Sequence, residues 1–257
     1  MVNNKICLIT GASGGIGGAL AKRLETEGYT LILHGRNKSN LSRLASELAH
    51  EHITIVGDLN NSTDQKRLLD EAFAIGKVDL LVNNAGISSF ADFESLNKKD
   101  IEQLIQINLL APVLLTQKFI KRLGGHSSTI INVGSALGSI GFPGFSLYSA
   151  TKFGLRGFSE SLSRELSDSN IRVGYFAPRT TKTTANSIEA DAMNNALGNK
   201  IDSPEWVAKE FISFLNSKKS RKVLGWPEKL FARINGIFPW LVDNAINSKL
   251  KKIKQYS

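Results

Sequence analysis

The chain has 257 residues, 42% of them hydrophobic, with 32 Lys and Arg against 23 Asp and Glu for a formal net charge of +9. That length supports one sizeable core without requiring two domains, and the single cysteine, Cys7, excludes a disulfide framework and a cysteine zinc site. No apolar stretch approaches the roughly 18–20 residues that span a bilayer, and a first strand beginning within a few residues of Met1 leaves no room for a signal peptide, so a reducing, cytoplasmic setting is expected. The positive charge favours anions: phosphorylated cofactors, acidic lipid headgroups or nucleic acid.

Lys5 to Thr10 is an apolar run of the kind found in the middle of a parallel sheet, with Cys7 as packing. It leads into T-G-A-S-G-G-I-G, residues 10–17. Gly11 permits the tight turn, Gly15 lets backbone approach a pyrophosphate, and Gly17 lets the next helix (Ala19, Leu20, Leu24) pack closely, while that helix's free N–H groups hold phosphate charge. The first glycine gap is one residue longer than in the usual dinucleotide fingerprint.

The second strand, Thr30 to His34, ends in Gly35-Arg36-Asn37. An acidic residue there would bind the ribose hydroxyls of NAD, whereas the planar fork of Arg36 suits the extra phosphate of NADP and Gly35 offers no carboxylate to repel it. The sequence therefore predicts NADP; the alternative is a solvated loop arginine. Asn40 to His50 reads as a solvated helix ending near His50 and His52, and none of the four histidines has convincing metal-ligand spacing. Ile53 to Val56 is the third strand. After it, Asp58 either accepts from an adenine amine or caps the following helix, for which Ser62 and Thr63 are better candidates.

The fourth strand, Asp79 to Val82, ends in N-N-A-G (83–86), where small residues admit a flat ligand and the amides can brace neighbouring backbone. Lys98 to Leu123 reads as one long, very apolar helix. Asn108 within it needs a hydrogen-bonding task if buried, and Pro112 frees a carbonyl near it. The fifth strand, Thr129 to Val133, puts Ser135 at a strand's carboxyl end, where open α/β sheets bind ligands. Tyr148 and Lys152 then stack on one face of a helix running to Leu166. A phenol of pKa about 10 needs a neighbouring ammonium to exchange protons near neutrality. Alone, Y-x-x-x-K could equally be a solvated pair on a helix face.

Arg172 to Phe176 is the sixth strand. Residues 180–202 turn small and polar around a short helix (Glu189 to Leu197), as a lid over a ligand would. Ser203-Pro204 starts a helix with Trp206, Val207, Phe211 and Leu215 as its core stripe, and Lys222 to Leu224 is a seventh strand. The alternation gives an α/β fold with a doubly wound, parallel, seven-stranded sheet in residues 1–226. Residues 227–257 form a basic, amphipathic helical tail, broken by Gly236 and Pro239, which can lie on an anionic membrane, cover a partner or dock on the chain's own cleft.

Taken in order, T-G-A-S-G-G-I-G, Asp58, N-N-A-G, Asn108, Ser135, Y-S-A-T-K and Pro178 with Thr183 resemble the short-chain dehydrogenase/reductase family, over roughly residues 5–226. The resemblance implies reversible hydride transfer between a nicotinamide cofactor and a carbonyl or alcohol. Tyr148 would be the proton donor or acceptor, Ser135 would hydrogen-bond the substrate oxygen, Lys152 would lower the tyrosine pKa and hold the nicotinamide ribose, and Asn108 would support a relay water. The implied cofactor cleft comprises Gly11, Ser13, Gly15, Ile16, Gly17, Arg36, Asp58, Leu59, Asn84, Ala85, Gly86, Tyr148, Lys152, Pro178 and Thr183, the last at the position that contacts the carboxamide.

It also implies a homodimer or homotetramer paired through the helices at 98–123 and 148–166. Neither a metal nor a nucleic-acid partner is expected. The substrate would be an aldehyde or ketone, lipid-like if the tail touches lipid. One departure stands out: the family's usual Pro-Gly is here Pro178-Arg179, and Arg179 can meet an acidic substrate group, a cofactor phosphate or a structural salt-bridge partner. Competing readings are a non-catalytic NADP-binding regulatory or scaffold protein, which would not need Ser135, Tyr148 and Lys152 together, and a nucleotide-sugar epimerase or dehydratase, which would need a larger C-terminal region.

Overall fold

Each apolar run becomes a strand of one parallel sheet in the computed structural model, which describes residues 5–257. The strands are β1 (Ile6–Thr10), β2 (Thr30–Gly35), β3 (Ile53–Val56), β4 (Val78–Asn83), β5 (Ser128–Val133), β6 (Ile171–Ala177) and β7 (Arg221–Val223), in the order β3-β2-β1-β4-β5-β6-β7. Between them run α1 (Gly15–Thr26), α2 (Lys38–Ser46), α3 (Ser62–Ile75), α4 (Lys98–Ile105), α5 (Ala111–Arg122), α6 (Ser146–Glu165), α7 (Ile188–Ala196) and α8 (Pro204–Leu215). Successive side chains of a strand face opposite layers. Cys7 and Ile9 accordingly join α1, α2 and α8 in one core, with Leu20, Leu44 and Phe211. Leu8 faces the other, built with Leu69 of α3 and Leu115 and Phe119 of α5. This is the doubly wound α/β fold, and its strand order reverses between β1 and β4, which opens a crevice at their carboxyl ends.

Four local expectations are corrected. The helix expected over 98–123 is interrupted by a π turn, Gln106–Leu110, in which the Ala111 N–H bonds the Gln106 carbonyl. Pro112 has no N–H to offer the Asn108 carbonyl one turn back, so the i to i−4 ladder lapses there. Helix α2 stops at Ser46, short of the histidines. His52 is buried rather than solvated: its Nδ1 accepts from the Leu31 N–H at 3.2 Å and its Nε2 faces Glu25 at 2.9 Å. The cap of α3 is Asn61, whose side chain accepts from the Thr63 and Asp64 N–H groups, while Asp58 accepts from Asn60 N–H within its own turn. No three His, Cys, Asp or Glu side chains among the described residues gather as a metal site.

Two titratable groups tie this fold to pH, His34 fully buried and Glu25 partly so. Burial pulls the His34 ring down to about 4, against a hydrogen bond with the Gly57 backbone, and leaves its Nδ1 without a partner. At Glu25, burial pushes up, but hydrogen bonds from the His50 and Ala49 backbone and from the His52 and His50 rings bring the carboxyl down to about 2. Both folded values lie below the ordinary ones of 6.5 and 4.5. The stability each contributes is therefore complete above its ordinary value and lost as pH falls through its folded one. Urea melts at a series of pH values should show the unfolding free energy falling from about pH 6.5 downward by on the order of 3 kcal/mol before the Glu25 step begins. His34→Phe should remove that upper step, and a step unchanged in this variant would reassign it.

Beyond β7 the tail forms α9 (Glu228–Ile237), α10 (Pro239–Asn247) and α11 (Leu250–Ile253). Of the three fates the sequence left open, its end takes the third and folds back on the chain. Ile253 is buried against Phe145, Ala190 and Met193, the Lys252 ammonium donates to the Ala196 carbonyl, and Asn235 Nδ2 donates to the Ser139 carbonyl at 3.1 Å.

Candidate active site

The crevice between β1 and β4 widens into a cleft of about 420 Å³. All fifteen residues expected to hold the dinucleotide line it, with Ser135 among their neighbours. Its floor is the glycine turn. Gly11 has φ +62°, a conformation that side chains resist, and a Cβ on Gly17 would stand 2.2 Å from the Gly11 carbonyl oxygen. Helix α1 starts at this turn behind Gly14, with no side-chain cap and no acidic residue in its first turn. By contrast, asparagine side chains cap α2, α3 and α4. The free N–H groups and positive end of α1 therefore face the cleft, and they fit the pyrophosphate of a dinucleotide.

Asn84 holds the opposite wall: its Nδ2 donates to the Thr10 and Gly11 carbonyls at 3.0 Å each, and the Thr10 hydroxyl accepts from the Asn84 and Ala85 N–H groups. The bracing role expected of N-N-A-G is thus performed on the glycine turn itself. Arg36 is exposed at the rim beside Asn37 and Asn40, and the Ser13 hydroxyl lies against Gly35, 3.4 Å from where its Cβ would be. Thr183, from the far side, packs on Gly15. The segment that carries it, after β6, is tied at its base by a parallel bridge between Thr181 and Asp202, with Lys182 N–H and Asp202 N–H each bonded across at 2.9 Å.

At the inner end, Ser135 follows β5 and Tyr148 and Lys152 share one face of α6, and the three meet. The Ser135 hydroxyl accepts from the Leu137 N–H at 3.2 Å and acts on the Tyr148 phenol as a lowering influence on its pKa. Lys152 Nζ stands 5.7 Å from the centre of the Tyr148 ring and donates to the Val133 carbonyl at 3.2 Å. One expectation is not met: burial raises the phenol above its ordinary value and Ser135 offsets only part of this. The physical reason is that the ammonium is itself desolvated, its pKa pulled down to about 8, and it spends a hydrogen bond on strand β5 rather than on the phenol.

Asn108 is the one expected site residue that does not line the cleft. It is buried one layer behind, where its Oδ1 accepts from Ile87 N–H at 2.9 Å and its Nδ2 donates to the Ile87 carbonyl at 2.8 Å and to Thr151 at 3.3 Å. The side chain thus joins the loop after β4 to α6, and Pro112, one turn on, has no N–H to give its backbone carbonyl. Sequence reasoning missed Tyr175. This fully buried residue of β6 accepts from Ser135 N–H and donates to the Ser135 carbonyl, both at 3.3 Å, and so sets the backbone that presents the Ser135 hydroxyl. A tyrosine inside an apolar run signals a needed partner, but not which one. Phe145, Ala190 and Asn194 also line the cleft unforeseen. Arg179 resolves to a salt bridge, bidentate on Asp202 at 2.8 Å and paired with Glu228 at 3.1 Å.

A crevice at the switch point of a doubly wound sheet, glycine-floored at one end and furnished with Ser, Tyr and Lys at the other, defines a nucleotide-dependent oxidoreductase. The model of the short-chain dehydrogenase family matches residues 5–194, and the chain belongs to that family. It is 34% identical over 230 residues to a 3-oxoacyl-(acyl-carrier-protein) reductase, FabG, of Rickettsia bellii, covering 87% of this chain and 94% of that one. It is 33% identical to carbonyl reductase family member 4 of Xenopus laevis over 218 residues, 83% of this chain and 92% of the other. Among solved structures, a 3-ketoacyl-(acyl-carrier-protein) reductase from Brucella melitensis complexed with NADH superposes with a TM-score of 0.76 at 26% identity, covering 86% and 93% of the two chains. The protein is thus an oxidoreductase that uses a nicotinamide dinucleotide on a small-molecule substrate.

Proposed function

We propose that the protein is an NADPH-dependent reductase of an apolar aldehyde or ketone, with Tyr148 as its acid. The observation that carries this is the convergence of Ser135, Tyr148 and Lys152 in one cleft whose other end pairs an uncapped helix terminus with Arg36. When bound, the dinucleotide supplies hydride to the carbonyl carbon. Ser135 and Tyr148 donate hydrogen bonds to the carbonyl oxygen and stabilise its negative charge as it develops. Tyr148 then gives up the phenolic proton, and a phenol held high by burial stays protonated until that charge forms. Lys152 binds the nicotinamide ribose and supports the phenolate once formed, and the Asn108 carbonyl holds the water that returns the proton.

The substrate class follows from the walls around Tyr148. Phe145, which lines the cleft, packs edge-on to its ring with centroids 6.1 Å apart, and Phe90, Phe142, Met193 and Ile253 back it in one apolar cluster. That lining suits a long-chain or lipid-like carbonyl, a class consistent with the acyl and carbonyl substrates named for the relatives. Residues 1–226 would then form the dinucleotide-binding and catalytic unit, with the lid at 180–202, and 227–257 an appended tail that roofs the substrate end. The proposed assembly is a homodimer or homotetramer in a reducing cytoplasm, supported by Ile105, Leu110 and Phe153, each about two-fifths exposed on α4, the π turn and α6.

NADPH oxidation measured against short and long aldehydes, ketones and acyl thioesters tests the reading, and no turnover with any of them would favour the non-catalytic alternative. Cofactor choice has its own check. Because a charge-assisted hydrogen bond contributes about 1.5–3 kcal/mol, Arg36→Ala should raise the KM for NADPH roughly tenfold or more and leave that for NADH unchanged. Equal effects on both would remove the NADP assignment.

A further inference from the structure

The corner between α9 and α10 is out of keeping with the rest of the surface. Ile237, Phe238, Trp240 and Leu241 are 66, 46, 55 and 52% exposed, and the Phe238 and Trp240 rings pack edge-on to each other, with centroids 5.3 Å apart. Trp226, just ahead of α9, is 67% exposed, so two of the chain's three tryptophans lie bare in this segment. The corner is held in place from behind: Val242 is buried, and Asn235 is bonded to the Ser139 carbonyl just past the Ser135 loop.

We infer that this corner docks on an anionic lipid surface, with Ile237, Phe238, Trp240 and Leu241 entering the interfacial layer. Three observations choose that occupant. Residues 226–257 carry six Lys and Arg against two Asp and Glu, and Glu228, one of those two acids, is taken up by Arg179. Four of the six, Lys249, Lys251, Lys252 and Lys254, follow the helix that leads from the apolar corner and are exposed; bare aromatics and a polybasic run in one short segment match acyl chains under anionic headgroups. A second copy of the chain is the poorer fit, since a two-fold contact would press one basic tail against another. No helix among the described residues is long and apolar enough to cross a membrane, so the contact is one of lying on the surface. Because the chain runs on from this corner through α10 and α11 to pack Ile253 against Phe145 and Ala190, which line the cleft, docking would bring the cleft's apolar side to the layer from which an apolar carbonyl is drawn.

The test is flotation of the full-length protein with vesicles of phosphatidylcholine alone or mixed with phosphatidylglycerol, read beside tryptophan emission. Binding to the anionic vesicles, weakened by salt and accompanied by a blue shift, is expected. Trp240→Ser with Leu241→Ser should weaken it at least about tenfold while leaving thermal melting and the reduction of a short, water-soluble carbonyl unchanged. Failure to float with either vesicle, or flotation indifferent to anionic lipid or to these substitutions, overturns the inference. A concentration-dependent dimer abolished by the same substitutions, without vesicle binding, assigns the corner to a second copy instead. Flotation reads no turnover, so its failure leaves the catalytic reading standing, and an inactive protein that floats separates the two in the other direction.

Discussion

Tyr148→Phe should lower NADPH-dependent carbonyl reduction by about 10²–10⁴-fold in kcat, the range that one positioned proton donor contributes, with dinucleotide affinity nearly unchanged. The ring is retained, so its contact with Phe145 and the apolar cluster behind it remain intact. What disappears is the phenolic hydroxyl and the proton it carries. Ser135 can still donate to the carbonyl oxygen, so residual activity should survive. Steady-state rates together with NADPH titration by fluorescence decide the matter: a variant of wild-type kcat would refute the assignment of Tyr148, and a variant that loses NADPH binding would make the residue structural.

The largest effect on stability is expected at Arg179. Its side chain and that of Asp202 are each only 5% exposed, and the pair joins the residue after Pro178 to the base of the segment that carries Thr183. A second arm reaches Glu228 and the Trp226 carbonyl, at the start of the tail. Removing the guanidinium leaves the Asp202 carboxylate buried without its counter-charge, a loss of about 3–5 kcal/mol. At this chain length that corresponds to a Tm lower by roughly 10 °C. Arg179→Met should show it in thermal melts, and Arg179→Met with Asp202→Leu should recover most of it, since replacing both partners removes the orphaned charge. A single variant within about 1 kcal/mol of wild type would mean that water screens this cluster. The replacement of the family's usual glycine by Arg179 thus ties the segment ending at Asp202 and the start of the tail to the sheet at one point.

The elements that sequence patterning located are those whose cause is local. Apolar runs bounded by turns became β1 to β7, and the T-G-A-S-G-G-I-G turn opened α1, because strand period, glycine conformation and an uncapped helix start are properties of a few neighbouring residues. The pairing of Tyr148 with Lys152 was legible for the same reason: four residues on a helix stack side chains whatever the rest of the fold does. Pro112 even announced the lapse at Asn108, though not that the lapse would take the form of a π turn. His52 read as solvated because nothing nearby in sequence reveals Glu25 or the Leu31 N–H as its partners.

The contacts that decide chemistry here are long-range, and these the chain alone left open. Tyr175 sets the backbone of Ser135 from forty residues away, and Arg179 chose Asp202 over a substrate or a phosphate. The tail's return packed Ile253 against Phe145 and Met193, a contact that no spacing foretold. Burial also reversed the expected direction of the Tyr148 pKa, because desolvation depends on everything packed around a group, whereas a motif specifies only the group. The sequence by itself determined the elements and the inventory of the site; the tertiary structure decided which charges are solvated, which are paired and which face the cleft, since those energies are summed over neighbours that only folding brings together.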